Sequence, residues 1–344
     1  MKKTLVIPFM ILAMALFAGF GCGRLRHPIR LEAKSSFQTG AFDAAAQEKL
    51  EALAGKARMA AQDQTQHAVK RASNQAATAG NKITVPQDYS TIQQAVDAAA
   101  PGDTIVVNSG TYNEFVCVGV PEIRIAAQGA VTVDGGFLVT ANKIAVAHFK
   151  INVLANPAIG GSVGVGVMGG AGAEISGVEV CNNMITGGDV GIALLSSTAC
   201  LVQSNHVSGA SLLGGIILDE ADGNKLDGNT ATANKIAGIG LFPGCDTNRI
   251  TNNQCDTNTG FGVVLSGNHN LFSRNRCNGN RVGILVHQAS DNFIGRNNIA
   301  DANHDTGLWL LAGTVNNTVQ NNIFHHNTHR DIFDAGAGNN FFNE

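Results

Sequence analysis

The chain has 344 residues, 44% of them hydrophobic and only 14% charged, with a formal net charge of −3. So sparse and balanced a charge leaves no electrostatic footprint for nucleic acid. The 41 glycines, with asparagine concentrated beyond residue 180, favour repeated tight turns over long helices.

Met1-Lys2-Lys3 and the apolar run from Leu5 to Phe20 read as a secretory signal over residues 1–21. The run falls short of the roughly 20 apolar residues that span a bilayer. It ends in Gly19-Phe20-Gly21-Cys22, which resembles the lipobox of bacterial lipoproteins. The resemblance implies acylation of Cys22 and attachment to the membrane through that lipid, with Gly23 favouring the outer membrane. Cleavage after Gly21, leaving Cys22 a free thiol on a soluble exported chain, is the other reading. The seven cysteines include no Cys-x-x-Cys pair, which argues against a zinc ribbon or a thioredoxin-type site. Cys255 and Cys277 recur at equivalent points and read as stacked core residues.

Residues 22–42 are a tether, and 43–80 form an Ala- and Gln-rich helical stalk with Asp43 as N-cap and Gly80 as stop. Only Leu50, Leu53, Met59 and Val69 are apolar residues larger than alanine there, so the segment suits a spacer; a partly disordered linker is the alternative. Ser90-Thr91-Ile92-Gln93 reads as a capping box opening a helix over 91–100. That helix stops at Pro101-Gly102 and is expected to plug one end of the body.

The body follows from its repeats. Gly-led apolar strands begin at Gly191, Gly215, Gly238, Gly262, Gly283 and Gly307. Three asparagine series keep step with them: Asn224, Asn248, Asn270, Asn292; Asn229, Asn253, Asn275, Asn297, Asn321; and Asn234, Asn258, Asn280, Asn303, Asn327. A common period of about 23 residues marks a solenoid, and the alternation within each apolar segment marks strands. Three short strands and three turns per period make a parallel β-helix. About ten coils at about 4.8 Å give a rod of roughly 50 Å over residues 83–344. Turn asparagines suit left-handed backbone angles and can form ladders between coils.

Ile83-Thr84-Val85-Pro86, Tyr89 to Val96, Pro101-Gly102-Asp103-Thr104-Ile105 and Gly110-Thr111-Tyr112 resemble the opening of right-handed parallel β-helix proteins of the pectate-lyase-like superfamily. The Asn-rich repeats look most like the periplasmic accessory β-helix protein of nitrous-oxide reductase copper-site assembly. The resemblance implies fold far more than function. The aspartate pair and arginine motifs of pectinesterases have no equivalent here.

The same register nominates sites. The outward residues of the Gly-led strand, Ala193, Ile217, Gly240, Val264, Leu285 and Trp309, form an apolar stripe suited to cover by the 43–79 segment or by a partner. Asp219, Glu220 and Asp222 offer hard oxygen ligands for calcium, with no second carboxylate expected beside them. His287 is equivalent to Asp219 but three coils away. Lys235, Arg281 and His304 share a row that could hold an anionic chain, and Trp309 could stack on a sugar. His304 and His329, beside Asp305, could bridge copper or zinc.

Two functions remain open. One is a non-catalytic envelope module that binds an extended anionic polysaccharide or a protein partner, or accompanies a copper enzyme. The other is a polysaccharide lyase or epimerase using some of Asp219, Glu220, Arg281, His287 and His304. The first is favoured, because no two coils present acid, base and charge neutraliser together.

Overall fold

A computed structural model of the chain describes residues 80–156, 161–169 and 174–343. The expected signal sequence, the tether with Cys22 and the stalk before residue 80 lie outside the described residues. The described part is an all-β parallel solenoid of about 11 turns.

Its strands stack in three columns. The first runs from Lys82–Val85 through Leu201–Gln203, Lys225–Asp227, Arg249–Thr251, Leu271–Ser273 and Phe293–Gly295 to Asn340–Phe342. The second includes Met184–Gly187, His206–Ser208 and Thr230–Thr232, then continues as single bridges at Gln254, Arg276, Ile299 and Ile323. The third carries the Gly-led strands, among them Val190–Leu195, Gly214–Asp219, Ala237–Leu241, Phe261–Leu265, Val282–Val286 and Thr306–Leu310. Successive strands pair in parallel register, as in Ile216↔Ile239 and Val263↔Ile284. Gly238 and Gly262 therefore sit one turn apart on one column, as the repeat requires.

Alternation along each strand sends every second residue inward. Val202, Leu226, Ile250, Phe272, Ile294 and Val319 stack in the first column, each fully buried. Burial of each such side chain contributes about 1.5–3 kcal/mol. Cys255 and Cys277 lie in the same interior at 0% exposure.

Three buried asparagine ladders brace the corners. In one, Asn183, Asn205, Asn229, Asn253, Asn275, Asn298 and Asn322 succeed one another, each amide Oδ1 accepting the main-chain N–H of the asparagine one turn earlier. The final rungs are thus Asn298 and Asn322, correcting the expected Asn297 and Asn321. The latter pair has φ of 64° and 54°. The left-handed angle belongs to the residue before each ladder asparagine, at Ser204, Asn252, Arg274 and Asn297 among others. Turn-making and ladder-making are therefore divided between neighbours, not combined in one asparagine.

A single short helix among the described residues, Ile92–Ala98, buries Ile92, Ala95 and Val96. Its N-cap is Thr91, whose hydroxyl accepts from Gln94 N at 3.1 Å, so the capping motif lies one residue later than expected. Glu114 accepts from Ile92 N and Gln93 N at 3.0 and 2.9 Å, placing a carboxylate at the positive end of the helix. Gln93 is thereby free to reach the neighbouring strand, accepting from Cys117 N at 2.7 Å.

Candidate functional site

The nominated acidic loop is committed to its own turns. Glu220 has φ of 47° and accepts from Ser196 Oγ at 3.2 Å. Asp222 Oδ1 accepts from Asp246 N, and Asp246 Oδ1 accepts from Asn268 N, both at 2.6 Å. A second carboxylate does stack beside the cluster, against expectation, because the next loop is one residue longer and carries Asp246 into line. These carboxylates cap turns. Asp219 pairs in register with Leu195, whereas His287 follows three turns later, after Phe242 and Ser266. At about 4.8 Å per turn the separation is roughly 14 Å. His287 is buried, and desolvation pushes its pKa below the ordinary value.

Lys235, Thr259, Arg281, His304 and Thr328 each follow a ladder asparagine and form the anticipated row. Arg281 is half-buried; desolvation lowers its pKa and the charge of Asp305 opposes that shift. His329 Nδ1 lies 3.2 Å from Asp305 Oδ1, and His326 Nδ1 lies 3.0 Å from Asp301 Oδ1. The ring of His329 thus meets a carboxylate. Among the described residues no three His, Cys, Asp or Glu side chains are grouped to hold a metal.

The outward stripe of the third column is not open. Ala193, Ile217, Val264 and Leu285 are at most 2% exposed, and only Trp309 is partly exposed. Trp309 packs edge-on against Phe333 one turn later, with ring centroids 5.8 Å apart. Arg330 lies over the other ring at 4.4 Å.

The first column carries a surface that motif reading missed. Lys225 and Arg249 are register partners, followed in the same outward row by Leu271 and Phe293. At the corner beyond, Arg274 N donates to Arg296 O, placing these two arginines one turn apart. All four cations are exposed. Lys225 pairs with Asp227 at 3.1 Å, while Arg249, Arg274 and Arg296 have no carboxylate within ion-pair distance among the described residues. Arg276 adds a fifth cation on the adjoining column, its Nε held at 2.8 Å by Asp256. Arg296 lies 5.7 Å from the half-exposed ring of Phe293. The result is three exposed guanidinium groups on successive turns, the last of them, Arg296, beside an aromatic ring. The signal was present: Lys225, Arg249, Leu271 and Phe293 each directly follow a first-series ladder asparagine.

The family model described as periplasmic copper-binding protein (NosD) matches residues 96–344. Comparison with curated proteins gives no match. Among solved structures, alginate lyase from Paenibacillus sp. str. FPU-7 is 14% identical, covers 75% of this chain and 99% of its own, and has a TM-score of 0.53. The periplasmic alginate epimerase AlgG is 17% identical over 77% of this chain and 83% of its own, with a TM-score of 0.46. At such identities the likeness concerns the fold alone.

Proposed function

The chain belongs to the NosD family of periplasmic copper-binding proteins, and we propose that it serves as an exported, non-catalytic envelope scaffold holding an extended anionic glycan along its basic corner. The observation that carries this reading is the run of exposed guanidinium groups Arg249, Arg274 and Arg296 on successive turns, with Arg296 beside the Phe293 ring. Guanidinium forks match carboxylate geometry, and an exposed ring offers a sugar a face to stack on. Asp219 lies three turns before His287, and Arg281 and His287 sit at opposite ends of the strand Val282–Val286, which favours binding over proton abstraction. Acylated Cys22 anchors the protein through the residues that precede the solenoid, and the helix Ile92–Ala98 closes the first turn.

The test is calorimetry of the full chain with a polyuronate and with a neutral glucan. Binding should be confined to the polyuronate and weaken at least about tenfold in the Arg249→Ala/Arg274→Ala/Arg296→Ala variant, equivalent to about 1.4 kcal/mol. Unchanged affinity in that variant sinks the reading. Release of unsaturated uronate, followed by ultraviolet absorbance and abolished in Arg281→Ala or His287→Ala, would instead favour the lyase alternative.

A second reading, an accessory to copper-site assembly, is favoured by the family match and by one donor pair. Met184 and His206 are register partners on adjacent turns, and both are exposed. A thioether beside an imidazole suits copper(I) as cargo. The described thiols fit it less well, because burial raises the pKa of Cys200, Cys245 and Cys277. Competition for copper(I) against a chelator should show one site, lost in Met184→Ala/His206→Ala; retention there would move the site elsewhere, with His304, His329 and Asp305 the next variants to make.

A further inference from the structure

Along the third column, the residues that alternate with the core side chains point away from the interior. Such a row on a solvent-facing sheet is ordinarily polar, yet this one is Ala193, Ile217, Gly240, Val264 and Leu285, and every member is buried. The described elements do not account for that burial. Strands of this column meet their neighbours above and below, the preceding strand of the second column and, at the first turn, the helix Ile92–Ala98. None of these crosses the outward face.

We propose that this stripe is a docking surface for the chain's own Ala-rich segment, residues 53–79, laid lengthwise along the rod. Lengths agree. Leu138, Gly166, Ala193, Ile217, Gly240, Val264 and Leu285 follow one another in register, and at about 4.8 Å per turn they span roughly 29 Å. Read as a helix, the segment reaches about 40 Å. Shapes agree as well. Gly166, Ala193 and Gly240 make the stripe shallow, and Leu53, Ala57, Ala61, Ala68, Ala72 and Ala76 recur at spacings that put small side chains on one helical face. The segment ends at residue 79, three residues before the first strand Lys82–Val85, so a helix lying on the stripe runs back along the rod from that end. Burial fades at Trp309, which marks where the cover thins.

Docked in this way, the tether would fix the angle of the rod to the membrane in place of a swinging link. Hydrogen exchange on the full chain tests it. Amides of 53–79 should be protected by about 100-fold or more over intrinsic rates, and Val264→Asp/Leu285→Asp should abolish that protection while amides of the first column keep theirs. Exchange at intrinsic rates in the unaltered protein overturns the proposal. Should the double variant misfold, Leu285→benzoylphenylalanine in the otherwise unaltered chain supplies the second measurement. Photocrosslinking to 53–79 of the same chain supports the proposal. Crosslinks to an isotopically labelled second copy, to a different segment, or to nothing overturn it.

Discussion

Asn229 gives both its main-chain N–H and its Nδ2 to the single Oδ1 of Asn253 one turn later, each at 2.9 Å. Asn253 Nδ2 in turn donates to Leu226 O at 3.0 Å. Asn253→Ala would orphan two buried donors and one buried acceptor, at about 1–3 kcal/mol apiece. Urea unfolding should register a loss of about 3–5 kcal/mol. Asn340→Ala, on the exposed last strand, should cost under about 0.5 kcal/mol. Equal losses would mean that the ladder adds nothing beyond local turn propensity.

Such ladders explain what the sequence could and could not reveal. Period alone located the three series, since a ladder demands one asparagine per turn. It could not choose between Asn297 and Asn298, because adjacent asparagines fit the same period and Arg296 and Asn297 both take left-handed angles in that turn. Asp246 escaped for a similar reason: one extra loop residue shifts it out of sequence phase with Asp222 while spatial phase is kept. The basic corner was legible only once the residues following Asn224, Asn248, Asn270 and Asn292 were read as one outward row. Burial of Val264 and Leu285 was not legible, since strand alternation says which way a side chain points and nothing about what lies over it.

Gly262 tests the packing of the Gly-led strand. A Cβ there would sit 2.6 Å from Gly283 O, 2.7 Å from Asn280 Nδ2 and 2.7 Å from Cys277 Cβ. Backbone and ladder atoms cannot retreat cheaply, so Gly262→Ala should lose about 3 kcal/mol or fail to fold. Gly244→Ala meets no atom within 4 Å and bears only its φ of 86°, a cost of about 1–2 kcal/mol. Thermal unfolding of the two variants should separate them clearly.

His287 gives the stability a pH dependence of known sign. Burial lowers its folded pKa below the ordinary 6.5. The unfolded chain therefore binds more protons than the folded one at mildly acid pH, and stability falls as pH drops through about 6.5 towards the folded value. Above about 6.5 the residue contributes no slope. In His287→Gln the unfolding free energy should lose this part of its decline between about pH 6.5 and 5. An unaltered slope would assign the acid sensitivity to other groups.

Thiol chemistry follows burial. Desolvation pushes Cys245 up to about 12 and raises Cys277 well above the usual thiol range. At about pH 8 the Cys245 thiolate is then about one in ten thousand. Of the described cysteines, only Cys117 and Cys181 are half-exposed, and burial raises both of these as well. A disulfide reagent at about pH 8 should modify Cys117 and Cys181 slowly and spare Cys200, Cys245, Cys255 and Cys277 until denaturant is added. Fast modification of Cys255 or Cys277 in the folded protein would contradict their place in the interior.

Glycan binding at the basic corner should depend on salt and hardly at all on pH. Arginine and lysine keep their charge across about pH 5.5 to 8, and polyuronate carboxylates are ionised throughout that range. Affinity should stay flat across it yet fall as ionic strength rises, because the guanidinium groups of Arg249, Arg274 and Arg296 are exposed and their fields are screened within about 10 Å at 0.1 M salt. Titrations at the two ends of that pH range, each at low and high salt, check this without any substitution. Affinity that holds at high salt, or that changes between the two ends of the pH range, would contradict a grip made by these arginines.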